Sequence, residues 1–99
     1  MNAIIQKLTA EQDEIKAWRH HLHKHPELAF EEKATAAFVA EKLKSWGFDV
    51  AEGLGGTGVV GTLKNGSGTK SIGLRADMDA LPIQEMGESD HKSTVPGKS

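Results

Sequence analysis

The sequence predicts an α/β fold, helices layered on a small sheet in the order ααβββ, with a sheet that is still missing elements. Three observations predict it. Apolar residues recur at helical intervals over the first half of the chain. Two short runs rich in β-branched residues flank a glycine-rich connection. A third apolar run, Ser71-Ile72-Gly73-Leu74, leads into alternating charges and is closed by Pro82.

The elements follow in order. Thr9-Ala10-Glu11-Gln12 has the spacing of a capping box, with Thr9 as N-cap and Gln12 reaching back. Ile15, Trp18 and Leu22 then define an amphipathic helix over 10–24, which Ile4, Ile5 and Leu8 could extend upstream. Pro26 bounds it, because the residue before a proline is pushed out of the helical region. A second helix is predicted over 30–46, with Ala36, Val39, Ala40, Leu43 and Trp46 as its stripe and Phe38 widening it. Glu31 and Glu32 sit at its positive end, Lys42 and Lys44 near its negative end, and Gly47 is its stop. Phe48–Glu52 and Gly58–Leu63 read as strands. Asn65-Gly66 favours a tight turn into a third strand at 70–75, so a hairpin is expected between the second and third strands.

Composition narrows the function. A chain of 99 residues suffices for one small domain, here 1–99, and not for two. A net charge of −2 gives no electrostatic footprint for nucleic acid, which needs clustered Lys and Arg. Without cysteine there is neither a disulfide framework nor a thiolate site. Met1–Lys7 has no apolar run long enough for a signal peptide or membrane span, so a cytoplasmic protein is expected, with no membrane partner.

The chemistry concentrates at the third run. In an extended chain, side chains two apart share a face, so Arg75, Asp77 and Asp79 point the same way while Ala76 and Met78 point oppositely. Clustered charges at a buried strand end are costly unless they pair with one another or meet a ligand or metal. A salt-bridged strand end is the plainer reading of the same residues.

Two other motifs invite function. His20-His21-Leu22-His23-Lys24-His25 places His21 and His25 four apart, a spacing that puts two imidazoles on one helical face for zinc. The helix ends there, however, and only Glu27 lies near enough in sequence to complete a set. Dipole-favoured, partly protonated histidines at a helix C-terminus explain them more cheaply. Gly53-Leu54-Gly55-Gly56-Thr57-Gly58 satisfies G-x-G-x-x-G, with Asp77 and Asp79 about 20 residues on. Val59-Val60-Gly61-Thr62-Leu63 follows it instead of a helix, so no helix N-terminus is offered to a pyrophosphate. A glycine-rich connection between strands is the better account. Ser89-Asp90-His91 are adjacent in sequence, which says nothing about a catalytic triad.

Three stretches together resemble a known family. They are Arg19-His20-His21-Leu22-His23-Lys24-His25-Pro26-Glu27-Leu28, Gly55-Gly56-Thr57-Gly58-Val59-Val60-Gly61 and Gly73-Leu74-Arg75-Ala76-Asp77-Met78-Asp79-Ala80-Leu81-Pro82-Ile83-Gln84-Glu85. In this order and spacing they resemble the two-metal amidohydrolases that include hippurate hydrolase and the N-acyl-amino-acid and indoleacetyl-amino-acid hydrolases. The resemblance covers nearly all of 1–98. It implies the N-terminal portion of a zinc-exopeptidase-like catalytic domain. It further implies hydrolysis of the amide of an N-acyl amino acid with two divalent metals (Zn, Mn or Co) and a glutamate general base. Metals of this kind polarise a carbonyl and supply hydroxide at neutral pH.

The wider group carries His-x-Asp at this strand end, where the aspartate orients a metal-binding histidine. Asp79 matches that aspartate. Asp77 stands where the histidine would be, a departure that this branch shares, so the resemblance does not make it a ligand. No cofactor-binding residue and no metal ligand is assigned within 1–99. In the family, Lys92–Lys98 would run into Met-His-Ala-Cys-Gly-His-Asp-Gly-His, which supplies the first ligands, whereas Ser99 ends this chain. The expectation is therefore a truncated fragment, inactive alone, from an enzyme that is possibly homo-oligomeric when whole. The alternative is a non-catalytic α/β binding module that uses the Gly53–Gly58 loop or the His20–His25 cluster.

Overall fold

The computed structural model describes residues 2–99. They form α1 (Asn2–Ala10), α2 (Gln12–Lys24), α3 (Lys33–Ser45), β1 (Asp49–Leu54) and β2 (Gly58–Thr62). The chain divides into two compact units, one of Met1–Pro26 with Pro82–Ser99 and one of Glu27–Leu81. The mixed helix–strand character agrees with the sequence reading, but the order is αααββ.

In the first unit, the helix expected over 10–24 is preceded by a separate one. Ile4, Ile5 and Leu8 carry helical periodicity upstream, so Thr9 lies inside α1 and not at a cap. Its hydroxyl donates back to Ile5 O at 2.8 Å, the local bond through which a mid-helix threonine satisfies itself. The break falls at Glu11, whose N–H is shared between Lys7 O (3.2 Å) and Leu8 O (3.1 Å). Glu11 caps α2 without a side-chain bond. Trp18 and Leu22 are half-buried and Ile15 is exposed. Pro26 bounds α2 as expected, after His25 at the C-cap.

The C-terminal stretch of this unit is tied to the end of α2. Lys24 O accepts from Thr94 N (2.8 Å) and Thr94 Oγ1 (2.7 Å), which satisfies one of the carbonyls a helix end leaves unpaired. Ser93 Oγ donates to Lys98 O (2.7 Å), and Gly97 N donates to Gln84 Oε1 (2.6 Å).

The second unit is built on α3. The helix begins at Lys33 and not at 30, because Phe30 has φ of 64°, a left-handed conformation that no helical residue adopts. Glu32 is the N-cap but gives no side-chain bond. The cap comes from outside the helix. Glu27 Oε1 accepts from Thr35 N and Thr35 Oγ1, both at 2.6 Å, and Glu27 Oε2 accepts from Ala34 N at 3.1 Å. One carboxylate thus serves two of the four free N–H groups and sits at the positive end of the helix.

The far end closes as expected at Gly47. Phe48 N donates to Leu43 O and Gly47 N to Lys44 O, both at 3.1 Å, with Gly47 at φ 87°. This is the Schellman pairing, and its left-handed residue is best made by glycine.

β1 and β2 form an antiparallel hairpin in which Asp49 faces Thr62 and Leu54 faces Gly58, with a bulge between Glu52 and Leu54. The glycine-rich stretch is therefore a connection between strands, as the sequence indicated, but the hairpin it closes is β1–β2 and not the one expected between the second and third strands. α3 packs on both strands. Ala40 is buried beneath it, and a Cβ on Gly61 would come within 3.0 Å of Leu43 Cδ1 and 3.2 Å of Phe48 Cδ2. That close approach is why a glycine suits β2 here. Trp46, expected in the stripe, is exposed.

The third strand is absent, and so is the hairpin that was to join it to β2. Residues 63–79 form no strand, and Ala80 makes an isolated parallel bridge with Leu28. A strand exists only where a neighbour supplies ladder partners, and β1 and β2 pair with each other. Ile72 and Leu74 are consequently 89% and 95% exposed.

The Glu27 cap yields a first prediction. Glu27→Ala leaves the Ala34 and Thr35 amides without it and should cost about 2 kcal/mol, with Glu27→Gln losing about half of that. Urea unfolding followed by far-UV circular dichroism measures both. Equal midpoints for wild type and Glu27→Ala would exclude the cap as a stabilising feature.

Candidate functional site

Ala80 anchors the site from below. Its N–H donates to Glu27 O at 2.7 Å, beside the Leu28–Ala80 bridge. Two of the stretches singled out in the sequence, one ending at Glu27-Leu28 and one running through Asp79-Ala80, are thereby joined. The glycine-rich connection supplies the third side. Phe30 and Glu32, Gly55 and Thr57, and Arg75 with Asp77 and Asp79 line one open cavity of about 310 Å³ within the Glu27–Leu81 unit.

The charges line the cavity together with Ala76 and Met78, so without a strand here the alternation does not segregate them onto one face. Arg75 Nη2 lies 2.8 Å from Asp77 Oδ1. Both side chains are more than two-thirds exposed (86% and 67%), so solvent screens the pair and its contribution is at most about 1 kcal/mol. The strand end is thus salt-bridged but not buried, because the strand that would have buried it does not form.

Glu32 is the residue that sequence reasoning passed over. It was assigned only a favourable place at a helix end, yet it is 8% exposed and lines the cavity. Its Oε1 is buried and, among the described residues, has no hydrogen-bond partner. Phe30, strained at φ 64°, carries its ring 77% exposed at the same cavity. Strain of this kind persists where surrounding structure holds it. No sequence pattern marks a left-handed phenylalanine, and the two acids at 31 and 32 look alike until the fold buries one of them.

The histidines lie in the other unit. His25 Nδ1 bonds His21 O at 2.8 Å, and the two rings are 4.8 Å apart and tilted by 41°. His20 stacks on His91, with centroids 4.0 Å apart and planes 14° apart, and His91 meets the His23 ring edge-on at 5.3 Å. His23 Nε2 pairs with Glu85 Oε1 at 2.9 Å. The expected dipole-favoured protonation does not hold for His20. Desolvation first, then His91, Arg19, Lys16 and Lys24, holds its pKa below the usual 6.5. Desolvation, and after it neighbouring positive charge, works against the helix end.

No protein-family profile matches the chain. Curated relatives and solved structures do. Hippurate hydrolase of Campylobacter jejuni is 51% identical over 90 residues, covering 91% of this chain and 24% of the relative. The homologues of this chain include amidohydrolases, beside carboxypeptidases 40% identical over 95% of it. N-acyl-L-amino acid amidohydrolase of Geobacillus stearothermophilus is 45% identical over 89 residues, covering 86% of the chain and 24% of that enzyme.

Among crystal structures, the Bacillus subtilis YXEP protein, described as a dinuclear metal binding peptidase from the M20 family, superposes with a TM-score of 0.83 at 34% identity. It is covered over 91% of this chain and 25% of its own. An aminohydrolase structure from methicillin resistant Staphylococcus aureus reaches a TM-score of 0.91 at 35% identity, over 99% of this chain and 26% of that one. The chain thus spans about a quarter of the amidohydrolase homologues it matches. The resemblance drawn from the three sequence stretches is upheld.

Whether these residues could hold the homologue's metal pair can be tested on their donors. Among the described residues, no group of three or more His, Cys, Asp or Glu side chains converges as a metal-holding set. The His20 and His91 rings are nearly parallel, so their in-plane lone pairs run side by side and do not meet at a point. Asp77 faces Arg75. The donor set of residues 2–99 does not fit a dinuclear centre.

Glu32 gives the prediction here. A buried carboxylate oxygen without a partner costs about 1–3 kcal/mol, so Glu32→Met, similar in volume and apolar, should raise the urea unfolding midpoint. A lowered midpoint would mean that the carboxylate is satisfied in solution.

Proposed function

We propose that this chain supplies part of the catalytic domain of a metal-dependent amidohydrolase acting on N-acyl amino acids of the hippurate type. The observation that carries the reading is identity of 40–51% to hippurate hydrolase, N-acyl-L-amino acid amidohydrolase and other hydrolases across 80% or more of the chain. The joining of the motif stretches around one cavity supports it.

In this reading, Asp79 orients a metal-binding group contributed by residues beyond these 99. Asp77 stays beside it, neutralised by Arg75, and takes no metal. The metals (Zn, Mn or Co) polarise the acyl carbonyl when bound. Because the donors present do not converge, the 99 residues alone should not turn over. The whole enzyme would be cytoplasmic and homo-oligomeric, with this chain a single stretch of its catalytic domain. The binding-module alternative has less support, since the Gly53–Gly58 loop opens into β2 and presents no helix N-terminus.

A chimera tests the reading. These residues would replace the matched quarter of the Campylobacter hippurate hydrolase, and hydrolysis of hippurate and N-acetyl amino acids would be assayed with each metal. The chimera should be active and the 99-residue chain inert. Asp79→Asn in the chimera should lower activity or metal affinity by roughly 10–100-fold, as loss of an orienting partner does. Turnover by the short chain, or full activity of the Asp79→Asn chimera, would refute the assignment.

A further inference from the structure

We propose that His20, His23, His91 and Glu85 form an acid-released latch that holds residues 85–94 on the C-terminal half of α2 at neutral pH. All four belong to the unit of Met1–Pro26 and Pro82–Ser99, and none has a place in the proposed reaction.

The latch has three contacts. The His20 and His91 rings stack at 4.0 Å, a geometry suited to uncharged imidazoles. The edge of His23 meets His91 at 5.3 Å. Glu85 Oε1 receives both His23 Nε2 and Ser93 N at 2.9 Å, so a single oxygen ties the helix to the loop. Next to Ser93, Thr94 N donates to Lys24 O, and the latch therefore also governs how the end of α2 is capped.

The surroundings decide what acid does. From α2, Lys16, Arg19 and Lys24 bear on His20, and Arg19 Nη2 already lies 3.1 Å from His20 Nε2. From the loop, His91 bears on His20 and Lys92 bears on Glu85. Protonating His20 and His91 stacks two cations within a cluster that holds four more, and like charges at this range repel. One contact opposes release, because a protonated His23 binds Glu85 more strongly. It is a single partly exposed pair against several like-charge contacts, and surface pairs contribute little.

The titration of His20 runs in the same direction. Its pKa is depressed below 6.5, chiefly by desolvation and next by His91, so the folded chain favours the neutral ring. That contribution is full above pH 6.5 and is lost as pH falls through the lower folded value. Glu85 is held below 4.5, first by the Ser93 N–H and then by His23, so its contribution persists above 4.5 and disappears only in stronger acid. Protonation of His20, rather than of Glu85, should therefore be what opens the latch as the pH falls.

Amide exchange by NMR on the 99-residue chain tests this, with rates expressed as protection relative to the unstructured amide at the same pH. Protection of Ser93 and Thr94 should fall at least tenfold between pH 7.5 and 5.0, while β1–β2 amides such as Val60 hold theirs. The midpoint should coincide with the titration of the His20 ring. His91→Phe, which stacks but cannot take a proton, should keep protection at pH 7.5 and lose most of the pH response. Unchanged protection in the wild type, a midpoint in the carboxyl range, or an identical response in His91→Phe would each overturn the latch. Should His91→Phe fail to hold the loop, the wild-type midpoints decide the matter alone.

Discussion

The Glu27 residue is the point on which the Glu27–Leu81 unit depends. Its carboxylate caps α3 through Ala34 and Thr35, and its carbonyl receives the Ala80 N–H. A helix start, normally served by its own preceding residue, is here served from six or more positions upstream. The same residue holds the end of the charged stretch through main-chain bonding. Side-chain and main-chain groups of one glutamate thus couple the start of α3 to the placement of Asp79, one position before the anchored Ala80. Where Glu27 goes, the candidate site follows.

What the unit lacks is depth. Ala40 is its buried hydrophobic residue among the described residues, while Ile72 and Leu74 stand in solvent. Exposed apolar side chains of this size mark a surface that another segment could cover. Polar contacts carry much of the local order instead, and Glu32 shows the cost where one is left unmade. The charged cluster at 75–79 is held by a screened ion pair, and a screened pair positions side chains more than it stabilises a fold.

Much of this was legible in the residues. Gly47 as a helix stop, Pro26 as a boundary and the glycines at 53–58 as a strand connection follow from rules that act over a few residues. The start of α3 lies later than the pattern predicts because Phe30 adopts a conformation with no local signal. At Thr9 the capping pattern fails because it cannot tell a helix start from a helix interior when apolar periodicity continues upstream. The strand predicted at 70–75 rests on an apolar run and a preceding Asn65-Gly66 turn, and neither supplies the ladder partner a strand needs.

The sequence by itself determined the helical periodicities of α2 and α3, the glycine-rich link between strands and the kinship with the amidohydrolases, since periodicity, turn chemistry and motif order are all local properties. Tertiary structure alone decided that Glu27 caps α3, that Glu32 is buried while Glu31 is exposed, and that His91 stacks on His20. These pairings join residues with no spacing rule between them, over 71 positions in the last case. It also decided that 70–75 is not a strand, because a strand is a property of two segments and is never written in one.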